Sequence, residues 1–261
     1  MSIDIQDSIV AVPNGEIFVR QWVPAEAQQT PIILLHDSLG SVAQWRDFPQ
    51  ELALSAGRTV AAYDRLGYGQ STPQKQPADI DFIEHEAGIY LPALASALGL
   101  SKYILFGHSV GGGMALTAAA KHPQQCLAVI SVAAQAFVET RTLEGIRKAK
   151  AAFAHAVQFE RLARWHGERA QWVLDAWTEV WLSPAFHDWS LNEVLAAVKC
   201  PVLAIHGDKD EFGSLAFPQQ IINGVAGPSE MVILPDCGHV PHREQKSKVL
   251  NAVATFLSGS D

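Results

Sequence analysis

Ser109 stands at the centre of Gly107-His108-Ser109-Val110-Gly111, a G-x-S-x-G spacing. Such a spacing can push one hydroxyl out on a sharp strand-to-helix turn. Tyr103–Phe106 before it is a short apolar, β-prone run, and Gly112 to about Lys121 after it reads as a small-residue helix. A serine at positive φ on this turn needs flanking residues without side chains, because a Cβ would meet the neighbouring strand or helix. The helix start points at the serine, which leaves the Val110 amide free to stabilise an anion. The chemistry that suits this arrangement is attack on a carbonyl, but an alcohol is a weak nucleophile and needs a base. His239, on the Gly-containing loop after the final strand, is the candidate base. His242 is its rival, although a surface-loop histidine is the better reading of it. The base in turn needs a carboxylate on its other nitrogen, and Asp208, Asp210 and Glu211 share the loop that follows the preceding strand.

The elements that must position these groups alternate along the chain. Residues 7 to 23 read as a hairpin around Pro13-Asn14-Gly15. Apolar strands follow at Pro31–His36, Thr59–Tyr63, Tyr103–Phe106, Leu127–Ala133, Pro201–Ile205 and Glu230–Leu234. Between them lie helices at about Gln44–Ser55, from Asp79 or Asp81 to Leu98, and near Phe217–Asn223, with others at Leu191–Val198 and Lys246–Leu257. Long apolar strands alternating with helices predict an α/β protein, a mostly parallel sheet with helices on both faces. In such a sheet the functional loops lie at the strand carboxyl ends, so His36–Gly40, Asp64–Pro73, the serine turn, His206–Gly213 and Pro235–His242 converge on one rim. The rhythm breaks once. Residues 139–190 are helical by pattern and hold five of the seven tryptophans, which predicts a helical lid inserted into a core made of 1–138 and 191–261. Ordinary packing at helical spacing is the expectation for most of those tryptophans.

The composition narrows the class further. A chain of 261 residues with 48% hydrophobic content can bury a full core. Its net charge of −8 argues against a nucleic-acid partner and against an anionic membrane surface. Three cysteines without C-x-x-C spacing fit a reducing compartment, and the start Met-Ser-Ile-Asp-Ile-Gln-Asp shows no signal-peptide pattern. A cytoplasmic protein acting on a small molecule is therefore expected. No phosphate loop, dinucleotide fingerprint or metal-ligand spacing occurs, so neither a cofactor nor a metal is expected.

Four segments together resemble the α/β-hydrolase superfamily: His36-Asp-Ser-Leu-Gly40, Asp64-Arg-Leu-Gly-Tyr-Gly-Gln-Ser71, Gly107–Gly111, and Gly207-Asp-Lys-Asp210 with Cys237-Gly-His239. The order Ser, Asp, His is the order that superfamily uses. The small capped members, similar to enol-lactone hydrolases and carbon–carbon bond hydrolases, are the nearest in pattern. The resemblance implies Ser109 as nucleophile, His239 as base and Asp210 as its orienting acid, with backbone amides of Val110 and Ser38 as oxyanion donors. It implies a serine hydrolase of a small, mostly apolar ester or lactone. The same set serves carbon–carbon cleavage of ring-cleavage diketones, and a silent small-molecule binder of the same fold is the third possibility. Family members usually carry His-Gly at the oxyanion loop; here Asp37 replaces the glycine, a residue that tolerates left-handed backbone better than most. Among the arginines of 139–190, Arg141, Arg147, Arg161, Arg164 and Arg169, one could reach inward to a substrate carboxylate.

Overall fold

Strands whose sequences are unbroken apolar runs are the ones covered on both sides. Tyr103–His108 (β5) and Val202–Gly207 (β7) are buried at every residue, and Cys126–Val132 (β6) at all but one. Gln29–Leu35 (β3) and Arg58–Tyr63 (β4) lie beside them, and Ser229–Leu234 (β8) closes one edge. The hairpin Ile3–Val12 (β1) and Gly15–Pro24 (β2) forms the other edge. The eight strands run in the order β1-β2-β4-β3-β5-β6-β7-β8. Only the β1–β2 and β2–β4 pairs are antiparallel. The computed structural model describes residues 2–27 and 29–258.

The two-residue period of a strand divides its side chains between two cores. Ile33, Leu35 and Leu105 pack with Leu91 and Leu94 of Leu91–Ala97 (α3), Met114 of Val110–Lys121 (α4) and Phe217 of Ala216–Gly224 (α9). Ile32, Leu34, Ile104 and Phe106 face the other way. They meet Phe48 and Leu52 of Phe48–Ala56 (α1), and Val249 and Val253 of Lys246–Ser258 (α11). Each fully buried aliphatic side chain contributes about 1.5–3 kcal/mol relative to an exposed one. A one-residue slip in β3 or β5 would exchange the two faces and is excluded on that ground.

Helices end where backbone chemistry requires it. The helix expected over Gln44–Ser55 is split into a 3₁₀ turn, Val42–Trp45, and α1, with Arg46 between them at φ 56°. Pro49 has no amide to give and therefore sits in the first turn of α1. The helix expected to run to Leu98 is likewise interrupted. Phe82–His85 (α2) is followed by a π-helical turn, Glu86–Tyr90, directly ahead of Pro92 in α3. A wide turn relieves the clash that a proline ring makes with the carbonyl four residues earlier. The helix expected at Leu191–Val198 shortens to Asn192–Leu195 (α8), and a short Pro241–Glu244 (α10) precedes α11.

Between β6 and β7 the chain leaves the sheet as Thr140–Phe153 (α5), Ala156–His166 (α6) and Ala170–Trp181 (α7). Exit and return lie side by side. Phe137 bridges Ser190, and the Leu191 amide donates to the Ala136 carbonyl at 2.8 Å. A small third core, with Leu162, Val173 and Leu174 against Tyr68, ties these helices to the loop after β4. Two polar contacts reinforce it: the Gly69 amide donates to His166 Nδ1 at 3.0 Å, and Arg169 donates to the Gly69 carbonyl. Among the described residues, no helix is long and apolar enough to cross a membrane.

Candidate active site

The turn after β5 holds Ser109 at φ 57° and ψ −127°, outside the ordinary regions for a residue with a side chain. Its amide donates to the Val132 carbonyl at 2.8 Å, and its carbonyl accepts from Gly112 at 2.9 Å. The flanking glycines are steric requirements. A Cβ on Gly107 would collide with the Gly111 carbonyl, and one on Gly111 with the Leu35 carbonyl of β3. The hydroxyl thus stands above the sheet at the start of α4, whose first amides, beginning with Val110, have no intrahelical acceptor.

Two loops from neighbouring strands meet it. Ser109 Oγ lies 3.0 Å from His239 Nε2, while His239 Nδ1 lies 2.9 and 2.8 Å from the two carboxylate oxygens of Asp210. Asp210 is 1% exposed and accepts a further bond from the Phe212 amide at 2.8 Å. Because an ionised carboxylate only accepts, Nδ1 carries the proton, Nε2 its lone pair, and the Ser109 hydroxyl donates. Burial pulls the His239 pKa down, but the hydrogen bond and charge of Asp210 outweigh it, and the ring titrates above its ordinary value. For Asp210, burial acts upward, and the His239 hydrogen bond and charge hold it below the usual carboxylate range. A hydroxyl in this setting can lose its proton to the imidazole as it attacks an electrophile, with the imidazolium stabilised from behind.

The loop after β3 forms the facing wall. Asp37 accepts the Leu39 amide at 2.8 Å through its carboxylate and stands 3.3 Å from His108 Nδ1. Its carbonyl accepts from Arg65 at 2.9 Å and from the Gly40 amide at 3.2 Å. His36 Nδ1 lies 2.8 Å from the same carbonyl, and its Nε2 accepts the Arg65 amide at 3.2 Å, so His36 orders the loop. Asp37 is not among the residues at positive φ, so the left-handed tolerance considered for it is not used. Its side chain braces the loop instead. The Leu39 and Gly40 amides are thereby occupied, whereas the Ser38 amide has no hydrogen bond among the described residues.

Serine, imidazole and loop open into a cavity of about 180 Å3. It is lined by Ile146, Ala149 and Phe153 of α5, Trp177 and Trp181 of α7, and Phe212, whose ring lies 4.8 Å from that of His239. Asp37, Ser38, Leu39, Gln135 and Thr142 complete the lining. This architecture and the whole-chain pattern agree with sequence comparison, in which a family model for the alpha/beta hydrolase fold matches residues 30–245. The chain belongs to the α/β-hydrolase family. Serine hydrolase BPHL of Mus musculus is 29% identical over 246 residues, 87% of this chain and 78% of that protein. The 2-hydroxymuconate semialdehyde hydrolase of Pseudomonas sp. (strain CF600) is 27% identical over 262 residues, 88% of each chain. The enol-lactonase from Burkholderia xenovorans LB400 superposes with a TM-score of 0.74 at 22% identity, covering 96% of this chain and all of that one (100%).

Several residues of this hydrolase sit differently from their sequence reading. His242 is not a surface histidine. It is 2% exposed and packs tilted or edge-on against Trp45, Phe48 and His108 at ring distances of 4.8, 5.4 and 4.6 Å. Burial, then the neighbouring His108 and Arg243, keep its pKa well below the ordinary value, so it is neutral. No sequence periodicity marks a residue of a single-turn helix such as α10 that turns inward. Replacing it with alanine leaves a void under three rings, and His242→Ala is expected to lower stability by about 2–3 kcal/mol. Most hydrolytic activity should remain at 25 °C; denaturant unfolding alongside an ester assay checks both, and activity lost in a fully folded variant would return His242 to the candidates.

The arginines are also placed elsewhere. Among the described residues no Lys or Arg lines the cavity; Arg141 donates to the Asp210 carbonyl at 3.1 Å, and Arg169 is engaged with Gly69. Two of the five tryptophans, Trp177 and Trp181, line it, while Trp189 stacks on Phe186 at 5.4 Å. Among the described residues Asp208 and Glu211, the other carboxylates considered, make no hydrogen bond to His239, and the Asp208 amide donates to the Leu234 carbonyl of β8 at 3.1 Å. Two site residues escaped the sequence altogether. His206, at the end of β7, puts Nε2 3.4 Å from Asp210 Oδ2, and burial holds it below its ordinary pKa. Gln135, 5% exposed, reaches Ser109 Oγ.

Proposed function

We propose that this hydrolase cleaves small, mostly apolar esters or lactones through an acyl-enzyme on Ser109. The observation that carries the reading is the unbroken line from Asp210 through His239 to Ser109 at the floor of a largely apolar cavity. His239 takes the serine proton as Oγ adds to the carbonyl, then returns it to the leaving oxygen; water repeats the sequence on the acyl-enzyme. The amides of Val110 and Ser38 act as the oxyanion donors, since neither makes a hydrogen bond among the described residues, Val110 directly follows Ser109 at the start of α4, and Ser38 lines the same cavity. Residues 139–190 act as a cap over a core formed by 1–138 and 191–261, and the enclosed volume then limits the acyl group.

Carbon–carbon bond cleavage of a ring-cleavage diketone is the second reading, favoured by the identity over 88% of both chains with a hydrolase named for 2-hydroxymuconate semialdehyde. The cavity wall, which offers no cation to a carboxylate-bearing acyl group, favours the ester reading. The test is a panel of aryl esters from acetate to palmitate, small lactones and one ring-cleavage diketone. Short acyl esters or lactones are expected to give kcat/KM at least tenfold above long-chain esters, since a longer chain would need more than about 180 Å3. A preference for palmitate removes the closed-pocket reading, and turnover of the diketone alone replaces ester cleavage with the second one.

A further inference from the structure

The bonds around Ser109 Oγ leave one buried polar atom without a partner, and it belongs to Gln135. Both ends of that carboxamide approach the hydroxyl, Nε2 at 3.2 Å and Oε1 at 3.3 Å. Oγ has a single proton. His239 Nε2, nearer at 3.0 Å and holding a lone pair because Nδ1–H is given to Asp210, takes it. Nε2 of Gln135 can still donate into an Oγ lone pair, but Oε1 then faces another oxygen with no hydrogen between them. Among the described residues Gln135 Oε1 has no other donor. Gln135 is 5% exposed and lines the cavity, and an amide oxygen left in this condition is unfavourable because water cannot satisfy it as it does an exposed one.

The backbone holds the amide there. β6 ends at Val132, and Ala133 at φ 49° turns the chain so that Ala134 packs on Gly112 of α4. Gln135 is thereby delivered beside the first turn of the same helix that carries Ser109. Thr142, the neighbouring polar wall residue, is already committed through its hydroxyl to the Phe212 carbonyl at 2.6 Å. The leaving oxygen of a substrate must face His239, from which it takes its proton, so the acyl portion occupies the wall that Gln135 shares with α5 and α7.

The geometry points to Gln135 as a specificity residue for an acyl group that carries a hydroxyl on its first or second carbon from the carbonyl, the hydroxyl donating to Gln135 Oε1. This rests on the acyl-enzyme reading and deepens it. The acyl chain remains apolar elsewhere, and the single donor supplies the orphaned acceptor next to the reacting oxygen. A site built to bond a substrate hydroxyl discriminates against the analogue that lacks it, because the analogue leaves the buried acceptor empty.

The experiment uses matched 4-nitrophenyl esters in which a methyl replaces the hydroxyl: 2-hydroxybutyrate against 2-methylbutyrate, and 3-hydroxybutyrate against 3-methylbutyrate. The quantity read is the hydroxy-to-methyl ratio of kcat/KM, each rate divided by that ester's hydroxide-catalysed rate. The wild-type protein should favour one hydroxy ester by about tenfold. In Gln135→Met, of similar length without an acceptor, the ratio should fall to near one whatever happens to the absolute rates; Gln135→Glu, which keeps an acceptor, should preserve it. A wild-type ratio at or below one for both pairs overturns the inference even if no variant folds, and an unchanged ratio in Gln135→Met does the same. Failure of the underlying reading looks different: neither ester is turned over, and a fluorophosphonate leaves Ser109 unlabelled.

Discussion

Ser109→Ala is expected to lower kcat on a short aryl ester by about a million-fold and to abolish labelling by a fluorophosphonate. Loss of the nucleophile in a serine–histidine–carboxylate set has an effect of that order, because the remaining groups have nothing to activate. The fold should survive. Alanine keeps the Cβ that already sits at φ 57°, and the turn is held by the backbone bonds of Ser109 to Val132 and Gly112, neither of which involves the hydroxyl. Unfolding temperature and near-UV circular dichroism should therefore match the wild type, so a lost rate reports chemistry. The residual rate would combine what the proposed oxyanion amides and substrate binding contribute without the nucleophile. A variant that still turns over esters at a tenth of the wild-type rate, or a wild-type protein labelled at another serine, would move the nucleophile away from Ser109.

Asp210→Asn should lower kcat by about ten-thousand-fold and displace the pH profile of what remains. The magnitude follows from the tautomer. Asparagine can turn its own N–H toward His239 Nδ1, which shifts the ring proton to Nε2, and an Nε2–H cannot accept from the Ser109 hydroxyl at 3.0 Å. The sign of the pH effect follows from the balance on His239. Burial lowers its pKa, and the Asp210 hydrogen bond and charge raise it further than burial lowers it, with smaller upward contributions from Asp37 and Glu211. The wild-type kcat/KM should thus climb with pH through an ionisation above 6.5, since the neutral ring is the base. Removing the carboxylate leaves burial in place, so the rising limb of the variant should lie at lower pH. Residual activity that titrates at or above the wild-type value would place the acid elsewhere, with Glu211 the next carboxylate to test.

The residues legible in the sequence are those whose role is local. Gly107-His108-Ser109-Val110-Gly111 specifies its own geometry, because the strand before it, the helix after it and the two missing side chains are all within a few residues. The strands around it were equally readable, since unbroken apolar runs such as β5 and β7 must be covered on both faces. Helix interruptions were less so. The π turn ahead of Pro92 and the break at Arg46 answer local strain that an averaged pattern smooths over. Partners across loops were not readable at all. His239 and His242 are both histidines on one Gly-containing loop, and chain spacing does not say that one faces Asp210 while the other is buried under Trp45. Gln135 looks like any polar residue after a strand until Ala133 turns it against Ser109. Asp37 looks like a departure from a glycine position, and becomes a brace only when Leu39, His108 and Arg65 arrive from separate segments. Amino-acid order determined the serine turn, the sheet and the helical insertion, because propensity and periodicity act between near neighbours. Which side chains surround the hydroxyl was decided by tertiary packing, where residues 26 to 130 positions apart come within 3.3 Å of one oxygen.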